Sequence, residues 1–217
     1  MLRFAPSPTG YLHVGNARIA ILNYLFAKKN NLEYFLRFDD TDTVRSKKIY
    51  EEQIKIDLDW LGVRFKSSFN QLDRLDIYKG IADDLKKKGF IYPCYEKPEE
   101  LEIKRKLQLK SGKPPLYDRS ALKLTSKEIN EYDKQGIKPH WRFKLNSNPI
   151  KWKDLLHGNI SFENLPISDP VVIRSDGTPL FTFTSVIDDL DFKISHVIRG
   201  DDHITNTAAQ IQLFHTI

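Results

Sequence analysis

Arg3-Phe4-Ala5-Pro6-Ser7-Pro8-Thr9-Gly10-Tyr11-Leu12-His13-Val14-Gly15-Asn16 is a short apolar strand running into a proline- and glycine-rich turn, then a His-x-Gly step, then a helix. Pro6, Pro8 and Gly10 keep the chain out of helix until the turn is complete. From Val14–Asn16 onward, Ala17, Ile21, Tyr24, Leu25 and Lys28 recur at a helical period, and Lys28-Lys29-Asn30-Asn31 closes the helix. This order gathers backbone N–H groups, an imidazole and a helix N-terminus around one point, which suits a polyphosphate. Gly15 lets a nucleotide approach the backbone, and His13 is placed to donate to phosphate oxygens. Each residue alone is ordinary in a strand–turn–helix; the whole arrangement carries the reading.

Outward from this stretch, strand and helix alternate. Glu33 to Phe38 reads as a buried strand. Tyr50, Ile54, Leu58 and Leu61 make a helical stripe ending at Gly62, and Leu75, Tyr78, Ala82 and Leu85 another ending at Gly89. The alternation predicts a parallel sheet with crossover helices, a nucleotide-binding α/β half-domain. After about Phe90 the style changes. Pro98 to Lys110 is a charged helix, Lys113-Pro114-Pro115 breaks it, and Thr125 with Glu128 offers a capping box. Short strands follow at His140–Leu145, Ile150–Lys153, Asn159–Glu163 and Val171–Arg174, with Asp176-Gly177 as a hairpin signal. The α/β pattern resumes with a strand at Ile194–Arg199 and a last helix from about Thr205, so the α+β segment reads as an insertion.

The 217 residues carry 34 Lys and Arg against 29 Asp and Glu, a net charge of +5, a mild lean towards a polyanionic partner. Cys94 is the one cysteine, which excludes an intramolecular disulfide and any multi-cysteine zinc site. No apolar run reaches membrane-spanning length, and the start has no signal-peptide core. A cytoplasmic, soluble protein without membrane contact is the expectation. Three acidic clusters stand out: Asp39-Asp40-Thr41-Asp42, Asp188-Asp189-Leu190-Asp191 and Asp201-Asp202. Paired carboxylates after a strand hold divalent metals in phosphoryl enzymes, and they also cap turns; spacing alone leaves both open.

The Ala-Pro-Ser-Pro-Thr-Gly wording and the His13-x-Gly15-Asn16 step resemble the first signature of class I aminoacyl-tRNA synthetases, in its glutamyl branch. The resemblance extends through Leu36-Arg37-Phe38-Asp39-Asp40-Thr41-Asp42, Tyr95-Glu96-Lys97-Pro98-Glu99-Glu100-Leu101, Ser175-Asp176-Gly177-Thr178-Pro179, Val186-Ile187-Asp188-Asp189 and Val197-Ile198-Arg199-Gly200-Asp201-Asp202-His203. It implies a Rossmann-type parallel-sheet domain interrupted by an α+β insertion that binds the tRNA acceptor stem. The boundaries fall at 1–90, 91–178 and 179–217. It also implies an N-terminal fragment, since neither a second, Lys-Met-Ser-Lys-Ser-like signature nor an anticodon domain is in the sequence.

The resemblance further implies an ATP-dependent ligase that activates L-glutamate and charges tRNA-Glu, acting as a monomer, with Mg²⁺ accompanying ATP. In that reading His13, Gly15 and Asn16 are catalytic. Asn16 replaces the more usual His. Ser7, Thr9, His13, Gly15, Asn16 and Asp202 bind ATP. Arg3, Ala5, Ser7, Asp39, Phe181, Ser185 and Arg199 bind glutamate, with Arg3 and Arg199 at strand ends facing one crevice and Asp39 taking the α-ammonium. Phe181 and Ser185 stand where many relatives have Tyr and then Asn. Lys104, Arg105, Arg119 and Arg142 form a basic face for tRNA, with Trp141 as a stacking aromatic. Cys94 occupies the place where some relatives begin a Cys-x-Cys zinc site, but Glu96 follows, so no structural zinc is expected. The alternatives are a glutaminyl-tRNA synthetase, a glutamyl-queuosine tRNA-Asp synthetase, or a non-catalytic module that binds ATP or tRNA.

Overall fold

The computed structural model describes residues 1–163 and 167–217, which form two compact units. The first comprises Met1–Lys79 and Thr184–Ile204; the second comprises Gly80–Phe183 and Thr205–Ile217.

In the first unit, strand β1 (Leu2–Phe4), helix α1 (Val14–Lys29), strand β2 (Tyr34–Phe38), helix α2 (Lys48–Trp60) and strand β3 (Ser68–Asn70) follow one another. The three strands pair in parallel in the order β1-β2-β3, with Phe4 beside Leu36 and Phe38 beside Asn70. A 3₁₀ turn, Gln71–Arg74, leads from β3 into helix α3 (Leu75–Lys87). Every residue of β2 is buried, as a strand covered on both faces requires. Leu2, Phe4, Leu36 and Phe38 meet Ala20 and Ala27 of α1 and Ile54 and Leu58 of α2 in the core.

Helix α1 buries Ala20, Asn23 and Ala27, while Leu25 of the expected stripe is exposed. The small alanines let the helix lie close to the sheet, and its apolar residues are too evenly spread to mark one face. β3 has only one apolar residue, Phe69, and gave no signal in the sequence. Ile194–Arg199 forms no strand; Ser195 makes one backbone bond, to the Met1 carbonyl at 2.9 Å, and a ladder needs more.

The second unit holds the antiparallel sheet β4 (Ile91–Cys94), β5 (His140–Phe143) and β8 (Val171–Ile173), in that order. It also holds helices α4 (Pro98–Lys110) and α5 (Ser126–Lys134) and the hairpin β6 (Ile150–Asp154)–β7 (Gly158–Phe162). Thr125 and Glu128 form the expected capping box. Gly177, at φ 92°, supplies the left-handed residue of the expected turn after β8. Helix α6 (Phe181–Asp191), unanticipated, spans the boundary of the units, and α7 (Ile204–Thr216) ends the chain. The units change over inside α3, α6 and α7.

Candidate active site

The turn after β1 is clamped by the segment after β2. The Asp39 N–H donates to the Pro6 carbonyl at 3.1 Å, and the Lys47 N–H to the Pro8 carbonyl at 3.0 Å. Ser7 and Thr9 are left exposed on the turn, and Ala5 is half-buried. His13 then caps α1: its backbone is extended, and its Nδ1 accepts the Asn16 N–H at 3.3 Å. An accepting Nδ1 puts the proton of the neutral ring on Nε2, so the exposed edge of the imidazole is a donor. The Asn16 N–H is thereby committed to the cap. Val14 and Gly15, the first two helical residues, carry the N–H groups with no intrahelical acceptor. A Cβ on Gly15 would lie 3.0 Å from His13 Cε1 and 3.1 Å from Nδ1. The open space at Gly15 is thus filled by the His13 ring itself, a role that spacing did not reveal.

Below this turn lies a buried chain of alternating charges. Side chains along a strand alternate between faces, and registered residues of parallel neighbours share a face. Arg3 is registered with Phe35, so Arg37, two residues beyond Phe35, faces the same way, and Asp39 continues the series. Arg3 donates from Nε and Nη2 to the two oxygens of Asp189, each at 3.0 Å. Arg37 donates from Nη1 to Asp189 at 2.9 Å, and from Nε and Nη2 to Asp39 at 2.6 and 3.2 Å. Arg37 is fully buried. Burial alone would lower its guanidinium, but Asp39, Asp189 and Asp188 outweigh it and raise it above the ordinary value.

Helix α6 supplies a second anchor, Asp188, which is 1% exposed. It accepts from Arg74 Nε, Gln71 Nε2 and the Tyr78 hydroxyl, each at 2.8 Å. Burial, and then Asp188, raise the Tyr78 hydroxyl far above its usual range, so it stays a donor. Arg74 also lies 4.8 Å over the Phe192 ring, which stacks on Phe69. Arg37, Gln71, Arg74 and Tyr78 had no assigned role in the sequence. Arg37 carried a signal, an arginine inside a wholly apolar strand, like Arg3.

Arg199 is half-buried in the segment before the 3₁₀ turn Asp201–His203. Burial first, and then repulsion from Arg3, lower its guanidinium to about 10, with Asp189 and Asp202 opposing. It remains charged at neutral pH, and Arg3 is near enough to repel it. Asp202 is exposed, with its side chain folded over Gly200, where a Cβ would collide with it. Ser185 is buried on α6, and Phe181, one turn earlier, falls in the second unit.

The carboxylates of the first two acidic clusters are engaged by protein donors. Asp39, Asp188 and Asp189 accept from arginine, glutamine and tyrosine donors. Asp40 takes Asn70 Nδ2 at 2.8 Å and the Leu72 N–H at 3.0 Å, and Asp42 takes the Arg45 N–H at 3.2 Å in a local turn. Among the described residues, a mixed donor group stands elsewhere, at Cys94, Glu96 and His140.

The basic residues of the second unit separate. Arg105 is exposed, and Lys104 faces Ser120 at 2.8 Å and Asp118 at 3.2 Å. Arg119 donates to the Leu145 carbonyl at 2.6 Å and to Asp169 at 2.7 Å. Arg142 is 8% exposed, lies 4.2 Å over the Tyr117 ring and donates to the Asp169 carbonyl at 2.6 Å. β5 thus points this residue of the expected basic face inward.

Residues 1–217 match the family described as tRNA synthetases class I (E and Q), catalytic domain. The chain is 53% identical over 216 residues to glutamate–tRNA ligase 1 of Maricaulis maris (strain MCS10), covering 100% of itself and 48% of that protein. It is 53% identical over 215 residues to glutamate–tRNA ligase 1 of Rickettsia bellii (strain OSU 85-389), covering 99% and 48%. It thus spans about half the length of these curated relatives. Its fold is similar to a crystal structure of a glutamate tRNA ligase from Elizabethkingia meningosepticum CCUG26117 in complex with its amino acid. The TM-score is 0.90 at 32% identity, over 99% of this chain and 46% of that one. A glutamate-tRNA synthetase from Elizabethkingia anophelis gives a TM-score of 0.91 at 32% identity, over 99% and 47%.

Proposed function

The chain belongs to the class I tRNA synthetases of the E and Q type, as their catalytic domain, and from that premise we propose that it activates L-glutamate for transfer to tRNA-Glu. The observation that carries the amino-acid assignment is that Arg3 and Arg199 are close enough to repel one another, with Arg3 oriented by Asp189. Two cations suit a γ-carboxylate, and an amide would forfeit the charge.

In the reaction, a glutamate α-carboxylate oxygen attacks the α-phosphorus of ATP, forming the mixed anhydride and expelling pyrophosphate. A carboxylate is already a nucleophile, so the protein aligns the reactants and neutralises the phosphates. His13 Nε2–H and the N–H groups of Val14 and Gly15 face the phosphates at the positive end of α1. Ser7, Thr9, Asn16 and Asp202 complete the ATP site. Asp39 keeps lone pairs beyond its two bonds to Arg37 and accepts the α-ammonium. Ala5, Ser7 and Ser185 shape the glutamate pocket. Mg²⁺ enters with ATP as part of the substrate. The terminal ribose hydroxyl of tRNA then attacks the activated carbonyl and releases AMP. Residues 91–178 serve as the acceptor-stem module, with Lys104, Arg105 and Arg119 on its basic side. The setting is the cytoplasm and the active form a monomer.

Calorimetric titration with non-hydrolysable glutamyl-, glutaminyl- and aspartyl-adenylate analogues tests this reading. Selective binding of the glutamyl compound is expected, and Arg199→Ala abolishes the selectivity while leaving ATP binding intact. Preference for the glutaminyl compound, or selectivity that survives Arg199→Ala, overturns the pocket.

A further inference from the structure

Helix α1 buries Ala20, Asn23 and Ala27, and the polar one of the three is 0% exposed. Asn23 Nδ2 donates to two carbonyls, that of Ile19 at 2.9 Å and that of Ile198 at 3.1 Å. Its orientation is forced, since only the NH₂ end of an amide can face two carbonyl oxygens. Asn23 Oδ1 is buried without a partner, which is unfavourable in itself. The bond to Ile19 stays within the helix, where that carbonyl already accepts a backbone N–H. The bond to Ile198 is the one that reaches another element. Ile198 immediately precedes Arg199, in a segment that forms no strand. Without a ladder, this segment is placed by isolated contacts. The Ser195 N–H bonds the Met1 carbonyl at 2.9 Å, the His196 ring lies 5.1 Å from that of Phe26, and Ile198 packs on the core.

We infer that Asn23 is a positioning residue for amino-acid selection: by holding the Ile198 carbonyl, it fixes the backbone that carries Arg199. The inference rests on the reading of Arg199 as a cation for the substrate's γ-carboxylate. A guanidinium recognises a carboxylate through two directed bonds, so its backbone must be held to about 0.5 Å. Asn23 supplies that hold from a rigid helix rather than from the loop itself. The same helix is capped by His13, so one element sets the reference for both the phosphate end and Arg199. The unpartnered Oδ1 is the cost of this arrangement, and an apolar residue would avoid it only by releasing Ile198.

The test is calorimetric titration of Asn23→Leu with non-hydrolysable glutamyl- and glutaminyl-adenylate analogues and, separately, with a non-hydrolysable ATP analogue. The variant is expected to bind the glutamyl compound about 10-fold more weakly and the ATP analogue within about 2-fold of the wild type. Its preference for the glutamyl over the glutaminyl compound narrows accordingly. Because Asn23 acts through Arg199, adding Asn23→Leu to Arg199→Ala should cause no further loss. Asn23→Ser decides should Asn23→Leu fail to fold. A helical serine bonds back to the carbonyl four residues earlier, so it keeps Ile19 and releases Ile198, and the same glutamyl defect is expected. Wild-type glutamyl affinity in the folded variants, equal weakening of all three ligands, or a full additional loss on top of Arg199→Ala overturns the inference. A wild-type chain that does not select the glutamyl compound, or an Arg199→Ala chain that still does, overturns the pocket reading first and this inference with it.

Discussion

At the scale of single residues, Asp189 orders the candidate pocket. One of its oxygens joins Arg3 to Arg37, and Arg37 in turn holds Asp39. The cation proposed for the substrate's side chain and the carboxylate proposed for its ammonium are therefore set by one buried chain. Removing a single member leaves an uncompensated charge in a dry interior. Asp189→Ala should destabilise the protein by about 3–5 kcal/mol in denaturant titration. Asp189→Asn, which keeps acceptor capacity, should unfold later than Asp189→Ala yet still weaken the glutamyl-adenylate analogue. Equal midpoints for the two variants would show that charge, not hydrogen bonding, dominates. His203 gives a pH-dependent contribution of known sign. Burial, and then Arg199, lower its imidazole, so the unfolded chain binds its proton more readily. Its influence is absent above the unfolded value of about 6.5 and turns destabilising as pH falls through it. The loss of stability between pH 7 and 5 should be smaller in His203→Gln, and an unchanged profile would sink this assignment. The Asp and Arg positions were visible in the sequence, but their mutual pairing was not. Pairing across the whole length of a chain leaves no periodic trace.

At the scale of elements, the helix that opens with His13 depends on two residues acting together. His13 caps the helix and Gly15 makes room for the capping ring. Gly15→Ala should displace the ring, lose about 0.5–2 kcal/mol of stability and weaken ATP-analogue binding. His13→Asn separates the two duties, since Asn caps well but carries no Nε2–H. Its thermal midpoint should stay near that of the wild type while ATP affinity falls. Retained affinity would show that the ring serves the fold alone. Elements with a clean period were legible: α2 buries Ile54 and Leu58, and α3 buries Tyr78, Ala82 and Leu85, as their stripes predict. Helix α6 was not, because Phe181-Thr182-Phe183-Thr184-Ser185-Val186-Ile187 is rich in aromatic and β-branched residues that favour strands. Its helical state comes from what it must bury: Phe183, Val186 and Ile187, and the acidic pair Asp188 and Asp189 at its end. The reverse holds at Ile194–Arg199, whose strand-like pattern finds no ladder.

At the scale of the whole molecule, the first unit is built from two distant stretches of chain, Met1–Lys79 and Thr184–Ile204. The first stretch contains all of β1, β2 and β3, yet on its own it carries Arg3, Arg37 and Arg74 inward with too few anions to meet them. The balancing carboxylates, Asp188 and Asp189, arrive only with the second stretch. Closing so long a loop is entropically unfavourable, and the ion chain together with Tyr78 and Gln71 helps offset it. Residues 1–183 produced alone should therefore fail to form the parallel sheet in a cooperative state. Arg3 and Arg74 would lose the carboxylates they pair with and Arg37 would keep Asp39 alone, and the interior does not hold such charges uncompensated. Amide-proton dispersion and urea titration of the truncated chain beside the full chain provide the measurement. A sharp transition of the β1–β3 region at the full chain's midpoint would show that hydrophobic burial alone builds the sheet. Loss of that transition, restored when a peptide of residues 184–204 is added, would show that the charges arriving with this segment complete the fold as well as the pocket.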